Sequence, residues 1–247
     1  MQGLITLDFG NSHPHAGLFQ KRDDNWNLVK IVPFNELSIS LTQLNMNSDN
    51  TSIVVCEVKP REDEIHQLQQ QGFLVTRVKD YWRGFKFSGM PVQYSNTLGE
   101  DRLIEAYYCY KQFKSPTLII DSGTFVTLDV INHSGFLGGY IIPGIDAYYE
   151  AYSKGERLKD VKLSPSKLSS LPTETSMAMA QSYTAFASLA KSVMNKYHIQ
   201  KIILTGGSLS IWEDFLEEEK ENYILEIDPH LIHRALHYWM ITQIELL

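Results

Sequence analysis

Two aspartates in this sequence sit where a charge is hard to keep. "LITLDFGNS" brings Asp8 to the end of an apolar, β-branched run, and "TLIIDSGTFVTLDV" does the same with Asp121. A carboxylate at the lip of a hydrophobic strand costs desolvation energy unless a cation or a hydrogen-bond donor meets it. Each acid is followed by a glycine-containing polar turn, whose N–H groups can satisfy the acid locally or be turned toward a ligand. A third acid, Asp101, lies in "GEDRLIEAYYCY", where Leu103, Ile104, Ala106, Tyr107 and Tyr110 recur at helical spacing. An acid suits the first turn of that helix. Arg102 does not, because the positive end of a helix dipole disfavours a cation. The available chemistry is therefore carboxylates that call for cations or proton donors, and a guanidinium that calls for an anion.

The elements that must position these groups repeat. Asp8 and Asp121 share one grammar and stand nearly half the chain apart, which predicts an internal duplication. "HAGLFQ" and "NWNLVKIV" read as hairpin partners around the polar turn "KRDDN". "FNELSISLTQL" reads as a short helix before the strand "TSIVVCEV", and "REDEIHQLQQQG" as a helix stopped at Gly72. "KIILTGGS" is the later counterpart of "TSIVVCEV" and ends on Gly206 and Gly207. "TETSMAMAQSYTAFASLAKSVMNKY" predicts one long amphipathic helix, and "DPHLIHRALHYWM" a helix with Asp228 as N-cap and Pro229 in its first turn. The expectation is two similar α/β lobes that face each other, with the chemistry in the cleft between them.

Composition narrows the function classes. The 247 residues carry 43% hydrophobic and 21% charged side chains, ordinary for a globular chain with a sizeable core. A net charge of −7 does not resemble a nucleic-acid footprint. Cys56 and Cys109 lack metal-type spacing and read as reduced packing thiols, which fits a cytoplasmic compartment. No stretch approaches the roughly 18 apolar residues of a membrane helix, and the first strand starts too early for a signal peptide. A soluble protein without membrane or nucleic-acid partners is expected. His13-Pro14-His15 has no evident third ligand, and His230, His233 and His237 near one helical face read as surface or packing residues.

Assembled, these blocks resemble the type III pantothenate kinases, members of the actin-like phosphotransferase superfamily. "DFGNS" is similar to the family's first phosphate turn, with Ser12 keeping the hydroxyl of a threonine. "GEDR" matches its Gly-x-Asp-Arg motif, with Tyr94 at the spacing of an upstream tyrosine. "DSGTFVTLDV" matches the second phosphate turn, "GFLGGYIIPG" follows in order, and "TGG" at 205–207 is similar to a nucleotide-side glycine turn. The resemblance implies duplicated ribonuclease-H-like lobes, each a mixed five-stranded sheet flanked by helices, at 1–115 and 116–247, the C-terminal helix packing back on the first lobe. It implies phosphorylation of pantothenate by ATP, the first step of coenzyme A biosynthesis, by a homodimer whose interface helps form the substrate pocket. Three positions depart from the pattern. Phe125 replaces a small residue beside the second phosphate turn, where it either narrows the ATP site or packs harmlessly into the core; Ser182 and Ala235 replace glycines.

On that resemblance the roles divide as follows. Asp8, Gly10, Asn11, Ser12, Gly123, Thr124, Thr127, Gly206 and Gly207 serve the ATP phosphates through backbone N–H groups and hydroxyls. No Gly-x-x-x-x-Gly-Lys-Ser/Thr loop is present, so a P-loop kinase is disfavoured. Asp8 and Asp121 would face like charge, at about 4 kcal/mol for each pair at 4 Å and an effective dielectric of 20. Mg²⁺ near Asp8, held through water, relieves the first; a monovalent cation, K⁺ or NH₄⁺, beside Asp121 relieves the second. Asp101 orients the pantothenate hydroxyl and accepts its proton, Arg102 faces the pantothenate carboxylate, and Tyr94, Gly99 and Thr175 complete the substrate side. The alternatives are a non-catalytic ligand sensor that retains the fold, and a kinase for another hydroxyl substrate.

Overall fold

The computed structural model describes residues 2–10, 13–161, 171–217 and 222–244. By internal packing the chain divides into two compact units: residues 1–112, 134–137 and 230–247 in the first, and 113–133 and 138–229 in the second.

In the first unit, β1 (Gly3–Phe9) lies between antiparallel β2 (His15–Arg22) and parallel β4 (Thr51–Glu57). With β3 (Asn25–Pro33) and β5 (Leu74–Arg77) at the edges, the sheet order is β3-β2-β1-β4-β5. Buried on both faces, β1 and β4 are near-continuous apolar runs, while exposed β3 alternates only weakly. Asp23 and Asp24 close the β2–β3 hairpin with positive φ of 48° and 63°, which short Asp side chains tolerate. One face of the sheet packs Ile5, Leu7, Leu18, Ile53 and Val55 against Leu37 and Leu41 of α1 (Leu37–Gln43) and Ile65 and Leu68 of α2 (Glu62–Gln70). Against β1 and β4 also lies α8 (Leu231–Ile244), which packs on α3 (Glu100–Gln112). Trp239 of α8 is fully buried, stacked on Phe87 and donating from Nε1 to Ser88 Oγ at 2.8 Å. A small sheet of β6 (Trp82–Arg83), β7 (Lys86–Phe87) and β8 (Met90–Pro91) carries those partners. The helix α8 starts at Leu231, with the His230 carbonyl accepting from His233 and Arg234, later than the predicted Asp228 cap.

The second unit repeats the plan. Its sheet order is β11-β10-β9-β12-β13, formed by β9 (Thr117–Ser122), β10 (Phe125–Asn132), β11 (Gly135–Pro143), β12 (Lys201–Gly206) and β13 (Ile224–Ile227). Again the central strand has an antiparallel neighbour, β10, and a parallel one, β12. The duplication inferred from the two aspartates is thus reproduced strand by strand. Its helices are α4 (Ile145–Tyr152), α5 (Thr175–Ser182), α6 (Thr184–Tyr197) and α7 (Ser210–Glu217).

One predicted helix is two. The long amphipathic run breaks between α5 and α6, where Ser182 Oγ donates to the Met179 carbonyl at 2.9 Å and Thr184 Oγ1 to the Gln181 carbonyl at 2.6 Å. Hydroxyls that bond back three residues compete with the helical ladder and bend it. Tyr183, at the break, is buried and reaches the Pro143 carbonyl.

Candidate active site

The C-terminal ends of β1 and β4 lie side by side in the first unit, with Asp8 opposite Cys56 and Phe9 opposite Glu57. The start of α3 reaches the same edge, because the Glu57 N–H donates to Glu100 Oε2 at 3.1 Å. One consequence is legible at Cys56. Its free, buried thiol is pushed to a high pKa by burial first and then by the carboxyls of Asp8, Asp101, Glu100 and Glu105. The structure therefore gathers Asp8 and Asp101, more than ninety positions apart, at one acidic end of the sheet.

Asp101 occupies the first turn of α3, where the Arg102 N–H donates to its Oδ1 at 2.8 Å. Burial raises its pKa above the ordinary 3.8, in spite of that bond and the Arg102 charge. A carboxylate so placed is a stronger base than its exposed counterpart. Gly99 makes the arrangement possible, since a Cβ there would run into Asp101 Oδ1. Arg102 is buried, its guanidinium carbon 5.3 Å from the Tyr94 ring centroid and 5.9 Å from that of Phe136. Such contacts hold a desolvated guanidinium with about 2 kcal/mol or more each. Phe136 is a residue the sequence reading missed. It arrives because Gly135, at φ +103°, packs where a side chain would collide with the Pro91 carbonyl, while the Gln93 N–H donates to the Phe136 carbonyl at 2.8 Å.

Glu100 was also missed, since the sequence analysis gave it no role. Burial lifts its pKa from 4.5 to about 7, assisted by the neighbouring Glu57 charge. Because the folded-state value is the higher one, the native chain holds a proton that the unfolded chain has released between those pH values, so stability falls as pH rises through that window. Glu100→Gln keeps an oxygen acceptor for the Glu57 N–H without a buried charge. Urea unfolding at pH 8 should show it about 1–3 kcal/mol more stable than the wild type, with the gain vanishing near pH 4.5.

In the second unit Asp121 stands opposite Thr127 of β10 and Thr205 of β12, and Ser122 opposite Gly206. Thr127 Oγ1 is buried with no hydrogen-bond partner among the described residues. Such a hydroxyl costs ~1–3 kcal/mol unless water or a ligand meets it. Ser122 stitches the glycine turn to β9, accepting from the Ser208 N–H at 2.9 Å and donating from Oγ to the Ser208 carbonyl at 2.8 Å. Gly206 has φ +95°, and a Cβ built on it would lie 2.5 Å from both Asp121 Oδ1 and the Ser122 carbonyl oxygen. Gly207 is exposed, with nothing within 4 Å of its Cβ position. The Gly123 N–H donates to the Phe125 carbonyl and the Gly144 N–H to the Thr124 carbonyl, both at 3.0 Å. Thr175 opens α5 and is exposed.

The predicted site residues thus divide between the units. Asp8, Gly10, Tyr94, Gly99, Asp101 and Arg102 belong to the first, and Asp121, Gly123, Thr124, Thr127, Thr175, Gly206 and Gly207 to the second. Asn11 and Ser12 lie outside the described residues. Two donor sets suit cations. Among the described residues no group of three or more His, Cys, Asp or Glu is arranged to hold a metal ion, so an ion at Asp8 would draw most ligands from water or phosphate, the habit of Mg²⁺. Beside Gly206, the Asp121 carboxylate and Ser122 carbonyl are hard oxygens of the kind an alkali cation takes.

A family model described as type III pantothenate kinase matches residues 4–196. The chain belongs to the type III pantothenate kinase family. Relatives bearing that name include proteins of Persephonella marina, 29% identical over 87% of this chain and 88% of that one, and Syntrophobacter fumaroxidans, 27% identical over 90% and 93%. Among solved structures, a candidate Baf family transcriptional activator from Campylobacter jejuni aligns with TM-score 0.59 at 22% identity, covering 98% of this chain and 100% of that one. A candidate 2-dehydro-3-deoxygalactonokinase from Sinorhizobium meliloti aligns with TM-score 0.57 at 9% identity, covering 99% of each. These two likenesses show the fold, a pair of α/β lobes each built on a mixed five-stranded sheet.

For a type III pantothenate kinase the three departures can now be read. Phe125 is 48% exposed at the start of β10, so of the two alternatives left open by the sequence, packing into the core does not hold. The Ser182 hydroxyl joins the Tyr148 and Tyr152 hydroxyls and caps the end of α5, a use a glycine could not serve. Ala235 is fully buried in α8, its methyl part of the packing of the first unit. No helix among the described residues is long and apolar enough to cross a membrane.

Proposed function

We propose that this chain transfers the γ-phosphoryl group of ATP to the primary hydroxyl of pantothenate, forming 4'-phosphopantothenate, the first step of coenzyme A biosynthesis. The observation that carries the reading is Asp101: a carboxylate at a helix start, made more basic by burial and set beside a buried arginine. Asp101 accepts the hydroxyl proton as the pantothenate oxygen bonds to the γ-phosphorus. The bond from that phosphorus to the β,γ-bridging oxygen breaks, and ADP leaves. Phosphoryl transfer asks a protein chiefly for positioning and charge neutralisation, and in this reading Gly10 and the hydroxyls of Thr124 and Thr127 serve the ATP phosphates. Mg²⁺ near Asp8 would neutralise phosphate charge, and K⁺ or NH₄⁺ beside Asp121 would do the same for that carboxylate. Arg102 takes the pantothenate carboxylate, with Tyr94 and Thr175 on the substrate side. A cytoplasmic homodimer belongs to the same reading.

The test is ADP release by the full chain that requires pantothenate, Mg²⁺ and K⁺ or NH₄⁺ together. Arg102→Leu should raise KM for pantothenate by about 10- to 100-fold while leaving KM for ATP near the wild-type value, as expected for a charge-assisted hydrogen bond of ~1.5–3 kcal/mol. Binding of both substrates without any turnover would replace this reading with that of a ligand sensor built on a kinase fold.

A further inference from the structure

A line of side chains runs from α8 to Asp8 within the first unit. His15 Nδ1 lies 2.9 Å from His233 Nε2, and His233 Nδ1 lies 2.7 Å from Thr6 Oγ1, which in turn reaches the Gly17 carbonyl at 3.2 Å. Gly17 leaves the room for it. A Cβ there would stand 2.6 Å from Thr6 Oγ1 and 2.8 Å from the His233 ring. With one N–H on each ring, the hydroxyl and the two imidazoles form a continuous run of donors and acceptors.

A chain of neutral rings can be ordered in two directions. In one, Thr6 donates to His233 Nδ1, His233 Nε2–H donates to His15 Nδ1, and His15 Nε2–H faces Asp8. In the other, Thr6 donates to the Gly17 carbonyl and accepts from His233 Nδ1–H, His233 Nε2 accepts from His15 Nδ1–H, and His15 Nε2 presents a lone pair toward Asp8. Proton count is the same in both. The Gly17 carbonyl, as a terminal acceptor, makes the second order available.

The separation at the open end favours a shared ion over a hydrogen bond. His15 Nε2 is 3.5 Å from Asp8 Oδ2, beyond the roughly 2.7–3.2 Å of an N–H···O bond. Two donors on one ion, with metal–nitrogen and metal–oxygen lengths of about 2.1 Å, lie about 3.4 Å apart at a tetrahedral angle and about 3.0 Å apart at the right angle of an octahedral one, so a small side-chain rotation serves either. Both side chains reach solvent, at 35% and 14% exposure.

We propose that Asp8 Oδ2 and His15 Nε2 form a mixed oxygen–nitrogen site for a borderline divalent cation, Mn²⁺, Co²⁺ or Zn²⁺, with His233, Thr6 and Gly17 setting the tautomer that presents Nε2. Water or an anion's oxygens complete the shell. An imidazole donor shifts preference away from Mg²⁺, which an all-oxygen set suits. His15 works here with Asp8 on the neighbouring strand, not with His13. The site shares Asp8 with the proposed nucleotide chemistry, but its test uses no nucleotide.

Mn²⁺ is added to the full chain without nucleotide, bound ion is measured by electron paramagnetic resonance, and nitrogen-14 coupling is sought in the electron spin-echo envelope. The expected result is one bound Mn²⁺ with imidazole coupling, at least ~10-fold weaker binding without coupling in His15→Gln, and about 10-fold weaker binding with coupling retained in isosteric Thr6→Val, as for loss of an outer-shell partner. No Mn²⁺ bound at millimolar concentration, or Mn²⁺ bound by the wild type without nitrogen coupling, overturns the site whatever the variants do. Pantothenate-dependent ADP release in a chain that fails this test leaves the kinase reading standing.

Discussion

Asp101→Asn should lower kcat for pantothenate-dependent ADP release by about 10²- to 10⁴-fold while KM for either substrate moves by less than about threefold. The substitution is nearly isosteric, and the asparagine Oδ1 can still accept from the Arg102 N–H that now binds the carboxylate at 2.8 Å. Helix start and fold are therefore kept. Basicity is what disappears. Because burial raises the Asp101 pKa, the wild-type kcat/KM should also fall on the acid side with a midpoint above the ordinary aspartate value of 3.8, as the base becomes protonated. Turnover within twofold of wild type in Asp101→Asn would remove this residue from the chemistry and leave Glu100, its raised neighbour, as the next base to test.

Gly206→Ala is expected to destabilise the second unit strongly. At φ +95° an alanine is strained in any surroundings, and its methyl would press on the Asp121 carboxylate and the Ser122 carbonyl at 2.5 Å. A main-chain oxygen cannot step aside without disturbing the strand pairing of β9 with β12. Together these effects should cost about 2–4 kcal/mol, read as a fall of several degrees in Tm. Gly207→Ala is the matched control. Nothing lies within 4 Å of its added methyl, and the cost should stay within about 0.5 kcal/mol. If Asp121 holds a monovalent cation, Gly206→Ala will also blunt the K⁺ dependence of any residual activity, whereas Gly207→Ala will not.

Where the sequence reading missed, the missing information was distant along the chain. Glu100 and Asp101 are adjacent acids at a helix start, indistinguishable by residue type. Only the packing of α3 against the end of β4 brings Glu100 to the Glu57 N–H and withdraws it from water. The break between α5 and α6 hid for another reason: Ser182 and Thr184 lie in a run whose apolar spacing continues through them, and their return bonds to the main chain leave no mark in periodicity. His233 read as a surface or packing residue, and it is buried. Its partners Thr6 and His15 lie on strands more than two hundred positions away.

The sequence by itself determined the doubled strand-and-turn grammar around Asp8 and Asp121, the hairpin that follows Asp8, the placing of Asp101 in the first turn of a helix and the family to which these blocks belong. Those features follow from local rules: apolar periodicity, turn chemistry and helix polarity act over a few residues, so the order of residue types carries them. Tertiary structure alone decided that Asp8 and Asp101 share one acidic sheet end, that Arg102 rests against Tyr94 and Phe136, that Phe125 stays out of the core, and that His15 is tied through His233 to Thr6. Each of these depends on which groups lose water and which partners they meet, and desolvation and contact are set by chain segments far apart in the sequence.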